Sequence, residues 1–271
     1  MLRFAAPAFL AFGLVAAPVA RAAPVDDLAR AVAIPGVVAL MREEGLAYGA
    51  SLAEEMLPDG PDAAWMATVG RIYDTGRMEA AVRGRFDAVL SQTDLAPLIA
   101  FFRDGPGARF VALELSAREA MLDDSVDEAA RAAFHEMEAE DSPRLHLMQE
   151  FVTANDLVDW NVQGALNASV AFYRGLAQGG RLDLPEDEIL ANVWESEPEV
   201  RADTGEWVYG FLLMAYGPMS DADLQAYIDL SRTPEGAALN RALFEGFDAM
   251  YLGLSQALGA AVALAGQSQD L

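Results

Sequence analysis

One run of apolar residues constrains this chain more than any other feature. Leu239, Leu243, Phe247, Met250, Leu254 and Leu258 follow at steps of four, four, three, four and four. A helix turns once every 3.6 residues, so these side chains form one stripe along one face. A strand would need alternation at every second residue, and no convincing run of alternating β-branched residues occurs. The segment from Leu145 to Leu176 repeats the helical spacing, less purely, through Met148, Val152, Asn155, Asp159, Val162, Leu166 and Val170. Punctuation at Pro35-Gly36, residues 58–61, residues 104–107, Ser142-Pro143, Gly179-Gly180, Gly217-Pro218 and Thr233-Pro234 divides the pattern into helices. The spacing therefore predicts an all-α protein of roughly ten helices.

The side-chain inventory excludes several chemistries. Among 271 residues there is no Cys, and all 18 cations are Arg, set against 42 Asp and Glu, for a net charge of −24. Without Cys there is no disulfide, thiol nucleophile or thiolate metal site. Without Lys there is no Schiff base and no P-loop lysine. A chain this acidic repels nucleic-acid phosphates, so no nucleic-acid partner is expected. At 53% hydrophobic residues it is not a disordered acidic tail, and it is long enough to bury a substantial core.

The first residues read as an address. Arg3 precedes an apolar run from Phe4 to Ala17, then Pro18, then the small-residue pattern Ala20-Arg21-Ala22. That is the order of a secretory signal peptide, with cleavage expected after Ala22. Loss of Arg3 and Arg21 takes the charge from −24 to −26. No later segment is expected to span a membrane, since the best candidate, Leu252 to Ala265, is short and carries Ser255 and Gln256. The expectation is a soluble periplasmic protein held together by core packing alone.

The chain also repeats itself. Ser91–Leu122 superimposes on Ser220–Tyr251 at a constant offset of 129 without a gap, with nine identities in 32 positions. Chance gives about three. The identities include Ser91/Ser220, Asp94/Asp223, Arg103/Arg232 and Gly107/Gly236. Ser followed by Asp three residues later resembles a capping box at a helix start. Asp104 and Thr233 are expected to cap the following helix. Gly107 and Gly236 would sit in its first turn, where Gly costs about 1 kcal/mol relative to Ala. A repeated Gly at that cost implies close backbone contact with the preceding helix. Each unit then reads as a helical hairpin with a tight corner. The expected organisation is residues 1–22 as signal peptide, 23–141 as a first repeat unit and 142–271 as a second, packed as one helical array. The acidic stretch from Leu122 to Ser142 would be a solvated helix joining them.

The run from Leu95 to Arg109, ending Phe101-Phe102-Arg103-Asp104-Gly105-Pro106-Gly107, resembles a bacterial envelope family catalogued as domain of unknown function 2059. Its hallmark is a helix ending in Phe and an aromatic, followed by Ser/Thr-Pro-x-Gly. Thr233-Pro234-Glu235-Gly236 fits that corner. The first copy shifts its Pro by one, and the second has Leu230-Ser231 for the aromatic pair. The resemblance covers roughly residues 80–133 and 205–263. It implies an exported all-helical protein and no known activity, so it transfers no catalytic residue.

Candidate sites are sparse. His135 and His146 are eleven apart, about 16 Å on a continuous helix and too far to share a metal unless Pro143 bends the chain. His135 with Glu138 is an i, i+3 pair, and Glu136, Glu140 and Asp141 stand nearby. Arg103 and Arg232 end equivalent helices. There they would complement C-terminal carbonyls, contact a ligand, or bridge to a carboxylate of the next helix. Met66, Met78, Met121, Met148, Met214 and Met250 would be core, or would line a groove for an apolar ligand. No nucleophile motif, calcium loop or zinc motif is present, so no catalytic, cofactor or metal residue is assigned. Two readings remain. The first is a non-enzymatic exported protein binding a protein partner or an apolar ligand. The alternative is a carboxylate/His-dependent metal-binding protein or hydrolase.

Overall fold

A computed structural model describes residues 22–140 and 142–267. All regular structure among them is helical. The elements are α1 (Ala22–Ala31), α2 (Ile34–Met56), α3 (Ala63–Ile72), α4 (Thr75–Val89), α5 (Ala96–Ile99, continued at π spacing over Ala100–Asp104), α6 (Gly107–Ala120) and α7 (Asp124–Ala139). Then follow α8 (Pro143–Ala154), α9 (Leu157–Gln178), α10 (Glu186–Glu195), α11 (Glu197–Tyr216), α12 (Asp221–Ser231) and α13 (Pro234–Gln267). That is more helices than the roughly ten expected. The proposed cleavage segment lies almost wholly outside the described residues, as does Asp141.

The C-terminal stripe folds as its spacing predicts. Leu239, Met250, Leu254 and Leu258 are buried, and Leu243 and Phe247 are half-buried. α13 is also long and apolar enough to cross a membrane by length and composition. In the fold it lies along α9 and α4, with Ala242, Val262 and Ala263 fully enclosed. Glycines allow the closest of these crossings. A Cβ on Gly259 would stand 2.1 Å from the carbonyl oxygen of Phe172, and one on Gly175 would stand 2.3 Å from that of Gln256. The two backbones touch where neither glycine has a side chain to separate them.

The stripe from Leu145 to Leu176 is not one helix. Asp156 takes a left-handed conformation, φ 49°, and separates α8 from α9. An Asp tolerates this backbone better than most residues because its short polar side chain bonds locally. Beyond the break Val162, Leu166 and Val170 turn into a small core with Ile189 and Val193 of α10. The acidic stretch is likewise more than a solvated connector. α7 packs on α11, burying Ala130 and Phe134, and Phe134 stacks on Tyr209.

Three cores result. The largest joins α1–α5 to α13, the second joins α6, α8, α11 and α12, and the third is the α9–α10 pair. Arginine finishes several helix ends. Arg42 donates to the carbonyls of Gly70 (3.0 Å) and Tyr73 at the end of α3. Arg144 donates to those of Tyr216 (2.7 Å) and Met219 (3.1 Å) at the end of α11. The guanidinium fork suits this work because its five donors can serve several carbonyls at once.

The two corners at offset 129 share one contact and differ in their caps. A Cβ on Gly236 would lie 2.0 Å from the Leu230 carbonyl oxygen. One on Gly107 would lie 2.8 Å from that of Phe101, the residue 129 places earlier. The expected close approach is therefore present at both. In the later copy Ser220 accepts from the Asp223 amide (3.1 Å), and Thr233 from the Gly236 amide (3.0 Å). The earlier copy departs from expectation. Ser91 lies in a short 3₁₀ turn, and Asp94 instead accepts from the Ala96 amide at 3.0 Å. Asp104 caps nothing. Its carboxylate takes Arg103 (2.8 Å), because α5 widens at its end and Pro106, one place later than its counterpart, opens α6.

Candidate functional site

A cavity of about 630 Å³ lies where the first two cores meet. Its walls are one face each of several helices. α6 contributes Val111, Glu114, Leu115 and Arg118, spaced i, i+3, i+4, i+7. α13 contributes Asn240, Leu243, Phe244 and Phe247, and each of these stands 129 residues after one of the α6 four. α9 adds Trp160, Asn161, Gly164 and Asn167, α11 adds Trp207, Phe211 and Leu212, and Tyr227 comes from α12. Two stacked pairs give the walls rigidity: Trp160 on Phe244 (centroids 5.5 Å apart) and Trp207 on Phe211 (5.2 Å).

One end of this cavity is an aromatic floor around a carboxyl. Phe110, Phe151, Tyr216 and Tyr227 pack with centroids 4.7–6.4 Å apart. Glu114 sits among them, and the Tyr216 hydroxyl donates to its Oε1 at 2.5 Å. Glu114 is half-buried at the cavity wall, with its carboxyl set among these rings. That burial pushes its carboxyl up to about 7, against the opposing pull of the Tyr216 hydrogen bond. Burial also raises the Tyr216 and Tyr227 hydroxyls, so both stay protonated. Asp248, on the α13 side, is raised by burial as well; Asn167 donates to it at 3.4 Å.

The wall's hydrogen-bond donors are mostly committed. Arg118 is bidentate to Glu44 through Nε (2.7 Å) and Nη2 (2.8 Å). The amide nitrogens of Asn155, Asn161 and Asn240 donate to the backbone carbonyls of Phe151, Leu157 and Asn155. A second cavity of about 510 Å³ adjoins, sharing Met41, Ala168 and Tyr251 as walls. Arg118 lines the larger cavity and Glu44 the smaller, so their ion pair forms part of the partition.

None of the histidines, methionines or arginines taken from the sequence as candidate site residues lines either cavity. Met78, Met148 and Met250 are buried in the cores, and Met66 and Met214 pack against them. Met121 ends α6. The methionine at both cavities is Met41. His135 is exposed on α7, 3.8 Å from Glu138 and 3.7 Å from Glu206, and His146 is exposed on α8. Among the described residues no group of three or more His, Asp or Glu is arranged to hold a metal ion. Arg103 pairs with its neighbour Asp104, whereas Arg232 bridges to Glu150 of α8 at 3.2 Å; all four are exposed. Glu114 and Arg118 went unremarked in the sequence, though they are charges set inside an apolar stripe.

Outside the cavities, Leu190 and Trp194 stand exposed one turn apart on α10. No protein-family model, curated protein or solved structure matches the chain.

Proposed function

We propose that this is an exported, soluble, non-enzymatic protein that holds an apolar small molecule in the cavity between α6 and α13. The observation that carries this reading is the cavity itself. Its volume falls within the roughly 300–1,000 Å³ of ligand sites, and its walls are mainly apolar and aromatic with a few convergent polar groups. The two hairpins are tandem repeats, and the paired α6 and α13 residues are the inner faces of equivalent helices enclosing one ligand. The N-terminal residues direct the chain to the periplasm, and the Thr233-Pro234-Glu235-Gly236 corner aligns it with the envelope family described above. We read α13 as part of a soluble fold, a reading supported by its packing along α9 and α4.

Tryptophan fluorescence tests the reading, because Trp160 and Trp207 are both cavity walls. Titration with 1-dodecanol below its solubility limit is expected to shift the emission saturably. Trp207→Phe is expected to reduce the amplitude. An emission unchanged across the titration overturns the proposal. A protein-partner reading rests on the exposed α10 pair Leu190 and Trp194.

A further inference from the structure

The polar equipment of the cavity is lopsided, and that lopsidedness selects a ligand class. Glu114, Glu245 and Asp248 are its carboxyls. Arg118 is its guanidinium, and Glu44 already holds it through two hydrogen bonds. The Tyr216 hydroxyl is spent on Glu114, and the Asn155, Asn161, Asn167 and Asn240 amides donate to backbone carbonyls or to Asp248. The Tyr227 hydroxyl, the Gln163 amide and the Trp160 and Trp207 indoles keep neutral donors, but the charged equipment is three carboxyls and a cation already paired. Among the described residues, the second oxygen of Glu114 receives no hydrogen bond. An anionic head group would meet three carboxyls and a cation already paired. An ammonium head has three donors and no acceptor, which is the complement of this wall. The aromatic faces of Phe151, Tyr216 and Tyr227 beside Glu114 favour a cation further.

We infer that the cavity takes a cationic amphiphile, a long-chain amine whose ammonium pairs with Glu114 on α6 while its alkyl chain lies along Leu243, Phe244 and Phe247 on α13. This rests on the ligand-holding role proposed above and adds the head-group class and the ligand's direction. The two helix faces then divide the work: Glu114 of α6 takes the head, and Leu243, Phe244 and Phe247 of α13 take the tail. Pairing requires the ionised carboxylate, whereas Glu114 when empty holds its proton up to about pH 7. Binding below that pH must expel the proton, so affinity rises between pH 6 and 8. Glu114 carries this trend, and the Asp248 carboxyl of α13, also raised by burial, acts in the same direction. Tyr216 of α11 and Tyr227 of α12 remain protonated, and Arg118 of α6 remains charged against Glu44 of α2.

Calorimetric titration of the purified protein with dodecylamine, 1-dodecanol and dodecanoate at pH 8 tests the inference. Dodecylamine is expected to bind one site about tenfold or more tightly than 1-dodecanol, with dodecanoate weakest. Glu114→Gln is expected to erase the amine preference and leave 1-dodecanol within about twofold. If that variant does not fold, the wild type still decides. At pH 6 dodecylamine binding should release close to one proton in buffers of different ionisation enthalpy, and 1-dodecanol none. Equal affinity for amine and alcohol, a preference that survives Glu114→Gln, or no proton release at pH 6 overturns this inference alone. Failure of every probe to bind overturns the ligand-holding role with it.

Discussion

α6 and α13 begin from corresponding corners and turn corresponding faces to one cavity, yet they do different things there. On α6 the four inward positions are Val111, Glu114, Leu115 and Arg118; at offset 129 on α13 they are Asn240, Leu243, Phe244 and Phe247, joined there by Glu245, Asp248 and Tyr251. The charges at positions two and four of the first set are an apolar and an aromatic side chain in the second. The corners differ in the same spirit. Thr233 caps α13 through a side-chain hydrogen bond, whereas α6 starts from Pro106 without one, after a preceding helix that ends one turn too wide. What both copies keep is the glycine that lets the second helix start against the end of the first. Backbone contact is thus the shared constraint, and caps and inward side chains are free to diverge around it.

The largest effect expected from this comparison is at the glycines. Gly236→Ala would drive a Cβ to 2.0 Å from a backbone oxygen that cannot move without the helix. It should cost about 3 kcal/mol in urea unfolding. Gly107→Ala would meet the Phe101 ring at 2.5 Å, which can turn, and the Phe101 carbonyl oxygen at 2.8 Å, a milder backbone overlap than the 2.0 Å at Gly236. Its cost should be nearer about 1 kcal/mol. Equal costs would break the claim that the second corner is the tighter.

The charged face comes next. Burial raises the Glu114 carboxyl from its ordinary value of about 4.5 to about 7 in the folded state. The folded state therefore binds more protons than the unfolded state between those values. The stability this group contributes is fully present below about pH 4.5 and is lost as pH rises to about 7, beyond which it changes no further. Glu114→Gln should remove that fall. The difference between wild type and variant should change by on the order of 2–3 kcal/mol across the window, read from denaturation midpoints at each pH. A difference independent of pH would show that the carboxyl is hydrated and not enclosed.

The smallest effect is at the caps. Thr233→Ala should cost about 1 kcal/mol, and Asp104→Ala should leave stability essentially unchanged because Asp104 satisfies no helix amide and its ion pair with Arg103 is exposed. Thermal unfolding of both variants would sharpen the contrast, and a loss at Asp104 equal to that at Thr233 would erase it.

These contrasts mark where sequence reasoning reaches. Helical period showed the all-α class, because a 3.6-residue stripe is a local signal and α13 obeys it from Leu239 to Leu258. The Gly-bearing corners were legible for the same reason. The break at Asp156 was not, since a left-handed residue that is not Gly leaves the apolar spacing on either side almost in phase. Nor was the true role of Asp104, which depends on where α5 widens, a consequence of packing rather than of composition. The cavity was hidden because its walls come from helices far apart in the chain. Glu114 and Arg118 went unremarked in the sequence, and their partners Tyr216 and Glu44 lie 102 and 74 residues away. Histidines and methionines drew notice as chemically distinctive residues, and the fold put them elsewhere.

The central claim is that the space between α6 and α13 is a ligand site. Filling it is the most direct test. Gly164 lines the cavity on α9, where an added Cβ would meet no atom closer than the Asp248 carboxylate at 3.8 Å, so Gly164→Leu should fold and project into the space. Calorimetric titration with 1-dodecanol is predicted to give saturable one-to-one binding in the wild type and about tenfold or greater weakening in Gly164→Leu at unchanged helicity. Equal binding by the two proteins would contradict the claim.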